Sequence, residues 1–491
     1  MASSAITDTQ PPEFTPERLA QVASIVPSPR QLSWQALEFY AFVHFGMNTM
    51  TDVEWGVGHE SPSLFDPSDL DVDQWMQSLV AAGMRGAILT AKHHDGFCLW
   101  PSALTEHSVA GSPWREGRGD LVREFADSAR RHGLEVGMYL SPWDRTEATY
   151  GSGAAYDDYF VGQLEELLTG YGDIFSVWFD GANGEGPNGL VQPYDWDRYF
   201  EVIRRLQPGA VIAVCGPDVR WCGNEAGHTR PDEWSVVPGE LRDIERIADK
   251  SQQVDDGEFS RLVRSDDQDL GSRAAIAGHL DDLVWYPAEV NTSIRPGWFY
   301  HRPEDATVRQ PAELFDLWTS SVGGNATLLL NIPPDERGRV ADPDVRALQG
   351  LGERIRGFWG GVVAAEVQAT SGEPSAECPA VEKPGHRTAW RSDADDTEPA
   401  LTLRFGGPTT IDAIVLQEDI RSGQRVERVV VVGIAADGTE QVVTETGTVG
   451  YQRIARFTPV SAVALRFEFP GRRGPVVLRG YAAVAAASSR P

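Results

Sequence analysis

A carboxylate at the end of an apolar run is the feature of this chain best suited to chemistry. The run extends from Ser176 to Phe179, and Asp180 and Gly181 follow it directly. A buried strand has this pattern when its last residue emerges into a site and the chain then turns sharply. In isolation, a strand ended by a turn aspartate is the simpler interpretation, because that describes most Asp-Gly pairs. Asp180 becomes a candidate for catalysis only if other reactive groups gather around it.

Polar and aromatic side chains also follow most of the other apolar runs in the first 360 residues. These side chains are His44, His93, Tyr139, Asp218, Glu289 and Asn331. Imidazole, carboxylate and aromatic groups that meet at one edge of a sheet suit two chemistries. One is metal-assisted hydrolysis, and the other is cleavage of a glycosidic bond by paired carboxyl groups.

The tandem His93-His94 is the main argument for a metal. Adjacent residues on a strand point to opposite faces, so both could bind one ion only where the strand has already ended. Metal-binding histidines stand more often two apart on a strand or four apart on a helix, and the chain has no HxH or HExxH motif. We therefore expect no bound metal and no cofactor. A polar pocket wall that donates hydrogen bonds to sugar hydroxyls suits the two histidines equally well.

Glycoside cleavage requires two carboxyl groups across the scissile bond, one ionised and the other protonated near neutral pH. Asp180 emerges from a hydrophobic strand beside Trp178 and is the candidate nucleophile. Its partner should lie on a loop after a different strand. Glu225 fits this requirement, because small residues flank it and allow a ligand to approach. The rival candidates are Glu185, Glu233, Glu289 and the carboxylates of an acidic 243–269 insertion.

An alternation of short apolar strands and amphipathic helices must position these groups. Strands are predicted at 40–46, 87–90, 134–140, 174–179, 211–214, 283–286 and 327–331. This alternation indicates βα units and a parallel sheet, with Asp71 and Gly83 as the start and stop signals of one intervening helix. Polar groups follow nearly every strand, and no glycine-rich phosphate motif follows the first one. A closed barrel is therefore favoured over an open doubly wound sheet, and we predict an α/β (β/α)8-like barrel over residues 35–360.

The residue pattern changes on either side of this region. Residues 1–34 are a polar lead-in. From 401 onward, short alternating strands are separated by turn signals such as Asp437-Gly438, which predicts an all-β sandwich over residues 361–491. The predicted strands are 401–405, 411–417, 426–434, 441–445, 453–457, 463–469 and 476–478.

Charge and cysteine content narrow the range of functions. The net charge of -29 argues against binding to nucleic acid or to an anionic membrane surface, both of which need basic patches. No apolar run reaches membrane-spanning length, and the first residues lack the basic and apolar regions of a signal peptide. We expect a cytoplasmic protein, or a secreted one if a leader was removed. The four cysteines have no framework spacing, so free thiols are favoured over a disulfide between Cys215 and Cys222.

Five motifs, in order along residues 35–360, resemble the α-L-fucosidases of glycoside hydrolase family 29. They are His44-Phe45-Gly46, Glu54-Trp55, His93-His94-Asp95-Gly96-Phe97, Tyr139-Leu140-Ser141-Pro142-Trp143 and Trp178-Phe179-Asp180-Gly181. The resemblance implies a (β/α)8-like barrel followed by a β-sandwich, and retention of anomeric configuration. It also implies that Asp180 is the nucleophile.

Further segments resemble the branch of this family that is specific for α-1,3/1,4-fucosyl linkages. They are Gly216–Trp221, Gly223–Glu225 and Ser293–Tyr300. In that branch, the glutamate matched by Glu225 is the acid/base. The resemblance also implies a fucose pocket formed by His44, Glu54, Trp55, His93, His94, Tyr139, Trp178, Glu289, Arg295 and Trp298.

The expected function is that of a retaining exo-glycosidase that releases L-fucose from branched Lewis-type oligosaccharides by double displacement. The alternatives are a broad-specificity α-L-fucosidase, a metal-dependent hydrolase on the same barrel, and a sugar-binding protein without activity. The C-terminal domain resembles discoidin-like or carbohydrate-binding modules at Gln417–Ile420 and Gly423-Gln424, and we expect it to support the barrel rather than bind sugar. The sequence predicts neither the preferred glycan nor the oligomeric state.

Overall fold

Eight parallel strands form a nearly closed barrel in the computed structural model, which describes residues 14–242, 269–375 and 388–486. The barrel strands are β1 (Phe39–Val43), β2 (Gly86–Lys92), β3 (Glu135–Leu140), β4 (Ser176–Phe179), β5 (Val211–Val214), β6 (Arg220–Trp221), β9 (Ala288–Ser293) and β10 (Thr327–Asn331). Two other strands, β7 (Val236–Pro238) and β8 (Leu283–Trp285), form a separate antiparallel pair. The barrel order is β5-β4-β3-β2-β1-β10-β9-β6, and a parallel bridge between Ala213 and Val219 joins the two edges.

Helices connect most of these strands and cover the barrel. The helices are α1 (Pro16–Ala23), α2 (Pro29–Gln35), α3 (Met47–Thr51), α4 (Val72–Ala82), α5 (Leu121–Arg131), α6 (Ala154–Gly170), α7 (Trp196–Leu206), α8 (Arg273–Ile276), α9 (Pro311–Ser321) and α10 (Asp342–Gly360). Helix α4 begins and ends as predicted: Asp71 accepts a hydrogen bond from the backbone of Gln74, and Gly83 ends the helix at a φ of 89°. The predicted barrel is confirmed, with no helix between β5 and β6 in this fully described stretch.

The prediction is wrong for one strand of the barrel. The apolar segment 283–286 forms β8 outside the barrel, and the barrel strand is β9, in which Glu289 is the second residue instead of following a strand. Strand β9 carries Glu289, Asn291 and Ser293 on one face, since side chains two apart share a face. These polar side chains replace the apolar run by which a buried strand is usually recognised.

Two short helices precede the barrel within the predicted lead-in. Helix α2 begins with a capping box in which Ser28 and Gln31 exchange side-chain and backbone hydrogen bonds. The side-chain amide of Gln31 also donates to the carbonyl oxygens of Asp218 at 2.8 Å and Trp285 at 3.1 Å. This segment is thus bound to the loop after β5 and to the last residue of β8.

The C-terminal domain is an antiparallel β-sandwich, as predicted. Its strands are β11 (Glu366–Ala369), β12 (Trp390–Arg391), β13 (Ala400–Glu418), β14 (Val426–Ile434), β15 (Glu440–Thr446), β16 (Arg453–Arg472) and β17 (Val477–Ala485), in the order β12-β17-β13-β16-β14-β15 with β11 beside β13. Two pairs of predicted strands are in fact the single long strands β13 and β16. Their register shifts between Arg404 and Thr409, where the turn-forming Gly406-Gly407-Pro408 bends the strand without ending it.

The sandwich packs directly on the barrel. Sandwich side chains such as Val415, Ile454 and Val484 belong to the same buried apolar cluster as the barrel interior. Backbone hydrogen bonds also cross the interface, from the amide of Ile454 to the carbonyl of Gly323 at 2.9 Å and from that of Asn325 to the carbonyl of Gln452 at 3.0 Å. The hydrophobic core of the barrel therefore extends into the sandwich, which also has a buried apolar cluster of its own.

Three of the four cysteines lie in the described ranges, where Cys98, Cys215 and Cys222 are buried free thiols, as predicted. The acidic insertion falls almost entirely outside the described residues. Within the described part of the chain, no helix has both the length and the apolar character needed to cross a membrane.

Candidate active site

A cavity opens at the carboxyl ends of the barrel strands and brings together nine of the twelve predicted site residues. Its predicted members are His44, Glu54, Trp55, His93, His94, Trp178, Asp180, Glu225 and Trp298. The sequence analysis did not single out the remaining members as site residues; these are Phe42, Gly181, Ala182, Val214, Trp221 and Asn291. Parallel barrels place their sites at this end, because all strand-end loops meet there.

Asp180 is held in one orientation with part of its carboxylate facing the cavity. The hydroxyl of Tyr139 donates to its Oδ2 at 3.0 Å, and the backbone amide of Ala182 donates to its Oδ1 at 2.8 Å. Burial and the Asp180 charge raise the pKa of Tyr139 well above its usual range, so this phenol keeps its proton. The side chain of Asp180 is 27% exposed, which leaves room for a substrate atom to approach.

His94 is fixed as a neutral imidazole close to Asp180. Its Nδ1 lies 2.7 Å from Ser141 Oγ, and that hydroxyl donates its own proton to the carbonyl of Trp143 at 2.6 Å. Nδ1 must therefore be the donor to Ser141. Burial lowers the pKa of His94 to about 4, so Nε2, which is 3.9 Å from Asp180 Oδ2, is a hydrogen-bond acceptor.

The other two histidines are fixed in the same way. His44 Nδ1 lies 2.8 Å from Asn331 Oδ1, and the Asn331 amide nitrogen is already used to donate to Ser293 and to the Trp298 carbonyl. His44 therefore donates through Nδ1 and accepts through Nε2. His93 Nδ1 is 3.2 Å from Asn48 Nδ2, an amide donor that also binds the Glu54 carbonyl. His93 thus accepts through Nδ1 and offers its Nε2 proton.

Burial keeps both of these imidazoles neutral. It is the largest cause of the low pKa of His44, about 3, and it lowers that of His93 well below the usual range, where the neighbouring His94 adds to the effect. The cavity therefore presents two neutral acceptors and one neutral donor, a pattern suited to hydroxyl groups. Among the described residues, no three His, Cys, Asp or Glu side chains are grouped so that they could hold a metal ion.

Glu289 lies beneath the cavity and does not line it. It is fully buried, and it accepts hydrogen bonds from the indole nitrogen of Trp178 at 2.8 Å and from the hydroxyl of Tyr40. Burial raises its pKa to about 7. The geometry makes Glu289 a support for the Trp178 ring and leaves it out of contact with a ligand.

Arg295 also lies behind the cavity wall. Its guanidinium donates to Asp344 at 2.7 Å and to Asp305 at 2.8 Å, and it packs 4.6 Å from the centre of the Tyr300 ring. The Asp344 and Asp305 charges, with the hydrogen bonds they accept, raise its pKa and outweigh the effect of burial. Arg295 therefore stabilises the segment that carries Trp298.

Glu54 reaches the cavity but uses both oxygens to hold this same segment. Its carboxylate accepts from the backbone amides of Trp298 at 2.9 Å and Phe299 at 3.1 Å. His301 approaches it from the far side, with Nε2 at 2.9 Å from Glu54 and Nδ1 at 2.6 Å from Asp52. These hydrogen bonds raise the pKa of His301 to about 9, so the ring is charged at neutral pH. No motif in the sequence pointed to His301.

Glu225 lies on the 222–235 loop after β6 and faces the cavity. Asn224 shapes the turn beside it, accepting from the backbone amides of Ala226 at 3.1 Å and His228 at 3.3 Å. Just before this loop, the indole of Trp221 donates to Asn291 at 2.7 Å. One wall of the cavity is therefore built from β6, β9 and the 222–235 loop.

The rival carboxylates occupy other positions. Glu185 is exposed and outside the cavity lining. Glu233 is fully buried between Arg220 and Arg230; burial alone would raise its pKa, but the two guanidinium groups outweigh that effect and lower it. Asp218 is also buried in ion pairs, with Arg204 and Arg30. Of the carboxylates considered as partners for Asp180, Glu225 is the one that lines the cavity among the described residues.

One of the missed cavity residues left a signal in the sequence. Phe42 stands two residues before His44 on one strand, and this spacing places both side chains on the same face. Val214 left no sequence signal, but the structure marks it: it ends β5 at a φ of 63°, an uncommon conformation for a β-branched residue that is often found at functional sites. Asn291 could not be recognised, because its strand was not predicted.

Comparison with known proteins identifies the family. A family model described as alpha-L-fucosidase matches residues 20–357. Alpha-L-fucosidase 1 of Arabidopsis thaliana is 37% identical over 444 residues, which cover 89% of this chain and 82% of that protein.

Solved structures agree with this result. A glycoside hydrolase 29 family member from an unknown rumen bacterium matches with a TM-score of 0.74 and 37% identity, covering 94% of this chain and 78% of that chain. A family 29 fucosidase of Ruminococcus gnavus, solved in complex with fucose, matches with a TM-score of 0.77 and 27% identity, covering 94% of this chain and 95% of that chain. The chain therefore belongs to the α-L-fucosidase family, glycoside hydrolase family 29, whose members are hydrolases that release fucose.

Proposed function

We propose that this protein is a retaining exo-α-L-fucosidase that acts on α-1,3- and α-1,4-fucosylated branched oligosaccharides. The observation that carries the proposal is that Asp180 and Glu225 line one cavity, from loops that follow two different barrel strands. A retaining glycosidase needs two carboxyl groups on the walls of one pocket, about 5–5.5 Å apart when the substrate is bound.

In the proposed mechanism, Asp180 attacks the anomeric carbon while protonated Glu225 donates to the departing glycosidic oxygen. The C–O bond to the leaving sugar breaks as the bond to Asp180 forms. Glu225, now ionised, removes a proton from water, and that water displaces Asp180 from the fucosyl-enzyme. The two inversions give fucose with retained configuration.

The neutral histidines would recognise the hydroxyl groups of fucose. His44 and His94 would accept hydrogen bonds through Nε2, and His93 would donate through Nε2. Phe42, Trp178 and Trp298 would form the apolar side of the pocket; the Phe42 and Trp178 rings are 5.1 Å apart and those of Phe42 and Trp298 are 6.3 Å apart. The C5 methyl group distinguishes fucose from common hexoses and would pack against these rings.

Azide rescue tests the two catalytic roles separately. Asp180→Ala should lose several orders of magnitude in kcat, and azide should restore turnover as β-fucosyl azide, because the anion replaces the nucleophile. Glu225→Ala should yield α-fucosyl azide, because the anion then attacks the fucosyl-enzyme in place of water. If Glu225→Ala retained near-normal activity on a fucosylated trisaccharide, the acid/base assignment would be wrong.

The linkage preference needs a comparison of substrates. Support for it comes from the segments Gly216–Trp221, Gly223–Glu225 and Ser293–Tyr300, which resemble the α-1,3/1,4-specific branch. The test is the rate of fucose release from a Lewis-type trisaccharide, an aryl fucoside and a 2'-fucosylated sugar. Preference for the trisaccharide supports the proposal, whereas efficient cleavage of all three would indicate a broad-specificity enzyme. Loss of activity after chelation would instead support the metal-dependent alternative.

A further inference from the structure

The 222–235 loop carries Glu225 and is bound at its far end by the sandwich. Gln424, which is fully buried, accepts a hydrogen bond from the backbone amide of Ser235 at 2.8 Å. Its amide nitrogen donates to Thr448 Oγ1 at 2.7 Å. The sandwich thus supplies a hydrogen-bond partner for loop backbone that is buried in the interface.

Asp232 makes a second contact between the loop and the sandwich. Its Oδ1 accepts from the backbone amide of Thr448 at 2.9 Å and lies 3.7 Å from Arg453 Nη2. Gly447 allows this close approach, because a Cβ at that position would stand 1.6 Å from Asp232 Oδ1.

Asn325, in the turn between α9 and β10, joins the same contact from the barrel side. Its amide nitrogen donates to the carbonyl of Glu233 at 2.7 Å, and its Oδ1 accepts from the backbone amide of Tyr451 at 2.6 Å. Asn325 has a φ of 67°, so its conformation is one that asparagine adopts more readily than most residues. The amide nitrogen of Gln424 lies 3.4 Å from the same Glu233 carbonyl, so the Glu233 backbone is held from both domains.

Ion pairs connect this anchored end to the part of the loop beside Glu225. The Glu233 side chain is buried between Arg220 and Arg230. The Arg230 guanidinium also donates to the carbonyl of Cys222 at 3.1 Å, three residues before Glu225. A shift of Glu233 would therefore move Arg230 and, through its hydrogen bond to Cys222, the backbone that carries Glu225.

We propose that the sandwich, through Gln424 and Asp232, positions the general acid/base Glu225 for protonation of the leaving group. The proposal rests on the function proposed above. Gln424 and Asp232 are positioning residues in this scheme, and neither lines the catalytic cavity. Gly423-Gln424, a motif that resembles one found in sugar-binding modules, would then serve to hold the 222–235 loop.

The test uses the full-length protein and two substrates that differ in their need for acid catalysis. A fucosylated trisaccharide has a poor leaving group that must be protonated, whereas α-L-fucosyl fluoride releases fluoride without such help. The quantity compared is kcat/KM, because it reports the steps up to formation of the fucosyl-enzyme and excludes the later attack of water.

Gln424→Leu keeps the volume of the side chain and removes its hydrogen bonds. We expect kcat/KM for the trisaccharide to fall about tenfold or more, and that for the fluoride to change less than about threefold. Asp232→Ala should show the same selective loss; its side chain is 49% exposed, so this variant serves if Gln424→Leu does not fold. The matched control is Arg456→Leu, which removes a barrel–sandwich ion pair with Asp316 outside the loop, and it should leave both values unchanged.

Glu225→Gln is the reference for a lost acid and should show the largest selective loss. Equal losses on both substrates, or no loss, in the Gln424 and Asp232 variants would overturn the positioning role while Glu225→Gln still discriminates. If Glu225→Gln itself failed to discriminate, the proposed acid/base would be wrong and the positioning role would fall with it. The two failures are therefore distinguishable.

Discussion

At the scale of single residues, Tyr139 fixes the orientation of Asp180 through one charge-assisted hydrogen bond. Tyr139→Phe removes this bond at 3.0 Å without changing the ring packing. A hydrogen bond to a charged group contributes about 1.5–3 kcal/mol, so we expect kcat/KM to fall about 10–150-fold while the folded structure persists. Steady-state kinetics and a thermal melt check both parts.

Tyr199 provides the matched control for this prediction. Its hydroxyl also donates to a carboxylate, that of Asp157, between α6 and α7 and away from the cavity. Tyr199→Phe should lower the melting temperature and leave kcat/KM unchanged. Similar catalytic losses in the two variants would contradict a specific role for Tyr139.

Glu289 should make the stability of the protein depend on pH in a recognisable way. Its pKa rises from an ordinary value of 4.5 to about 7 in the folded protein, because burial disfavours the charged form. Below about pH 4.5 the group is protonated in both states; between about pH 4.5 and 7 only the unfolded state loses the proton, so stability falls as pH rises through this window. Glu289→Gln should remove that fall, which is on the order of 3 kcal/mol.

Denaturant unfolding of wild type and Glu289→Gln at pH 5 and pH 8 measures this difference. The variant is compared with itself at the two pH values, so any constant cost of the substitution cancels. Glu418→Gln serves as a parallel case in the sandwich, where burial also raises a glutamate pKa to about 7. Identical pH dependence in wild type and Glu289→Gln would contradict the prediction.

Residue type alone could not rank the candidate carboxylates. Asp180 was identifiable because an apolar strand ends at it, and Glu225 because a family motif matched it. Glu289 and Glu233 looked equally reactive in sequence, yet each is buried and satisfied by its own partners, Trp178 and Tyr40 in one case and two arginines in the other. Trp178, Tyr40 and Arg220 are each 13 or more positions away in the sequence from the glutamate they contact, so no local pattern reveals these partners.

At the scale of elements, the segment 297–301 depends on Glu54 and a charged His301. The groups around the His301 ring are the carboxylates of Asp52, Glu54 and Glu304. Its pKa rises from 6.5 to about 9, so the stabilising attraction is fully present below pH 6.5 and is lost as pH rises through about 9. We expect KM to rise in wild type above about pH 9, because Trp298 is then held less firmly.

His301→Gln tests this expectation, since glutamine cannot carry the charge. KM should be raised about tenfold at neutral pH, equivalent to about 1.4 kcal/mol, with no further rise near pH 9. The control is Arg302→Ala, which removes an exposed ion pair with Glu336 from the neighbouring position. An alkaline rise in KM that persists in His301→Gln would assign it to another group.

The accuracy of the element predictions followed the chemistry of the strands. Strands with an apolar run, such as β4 and β5, were predicted almost to the residue. Strand β9 was missed because polar groups line its interior face, and β6 because it has only two residues. The missed strands of the barrel are thus those that build the cavity wall beside Glu225. A functional site needs polar side chains at positions where a buried strand would otherwise have apolar ones, so the apolar pattern that predicts a strand is lost there.

At the scale of the whole molecule, the buried cluster of the barrel continues into the sandwich. Val415, Ile454 and Val484 are part of it, and a second cluster joins Ile420 and Tyr451 of the sandwich to Val22 and Trp285. Removing residues 361–491 would expose this apolar surface to water, so the remaining barrel should aggregate instead of forming a soluble enzyme. The soluble fraction and its size-exclusion profile measure this outcome. A soluble, monodisperse barrel would contradict it.

The same continuity predicts that the intact protein unfolds in one step, although chains with two domains often do not. Tryptophan fluorescence separates the possibilities, because fourteen of the fifteen tryptophans lie between Trp34 and Trp359 and only Trp390 is in the sandwich. In Trp390→Phe, fluorescence reports the barrel alone, whereas calorimetry reports both domains. The two melting curves should coincide, since neither domain can unfold without exposing the apolar surface of the other. A calorimetric transition without a matching fluorescence change would mean that the sandwich unfolds independently, and the shared core would then not couple the domains.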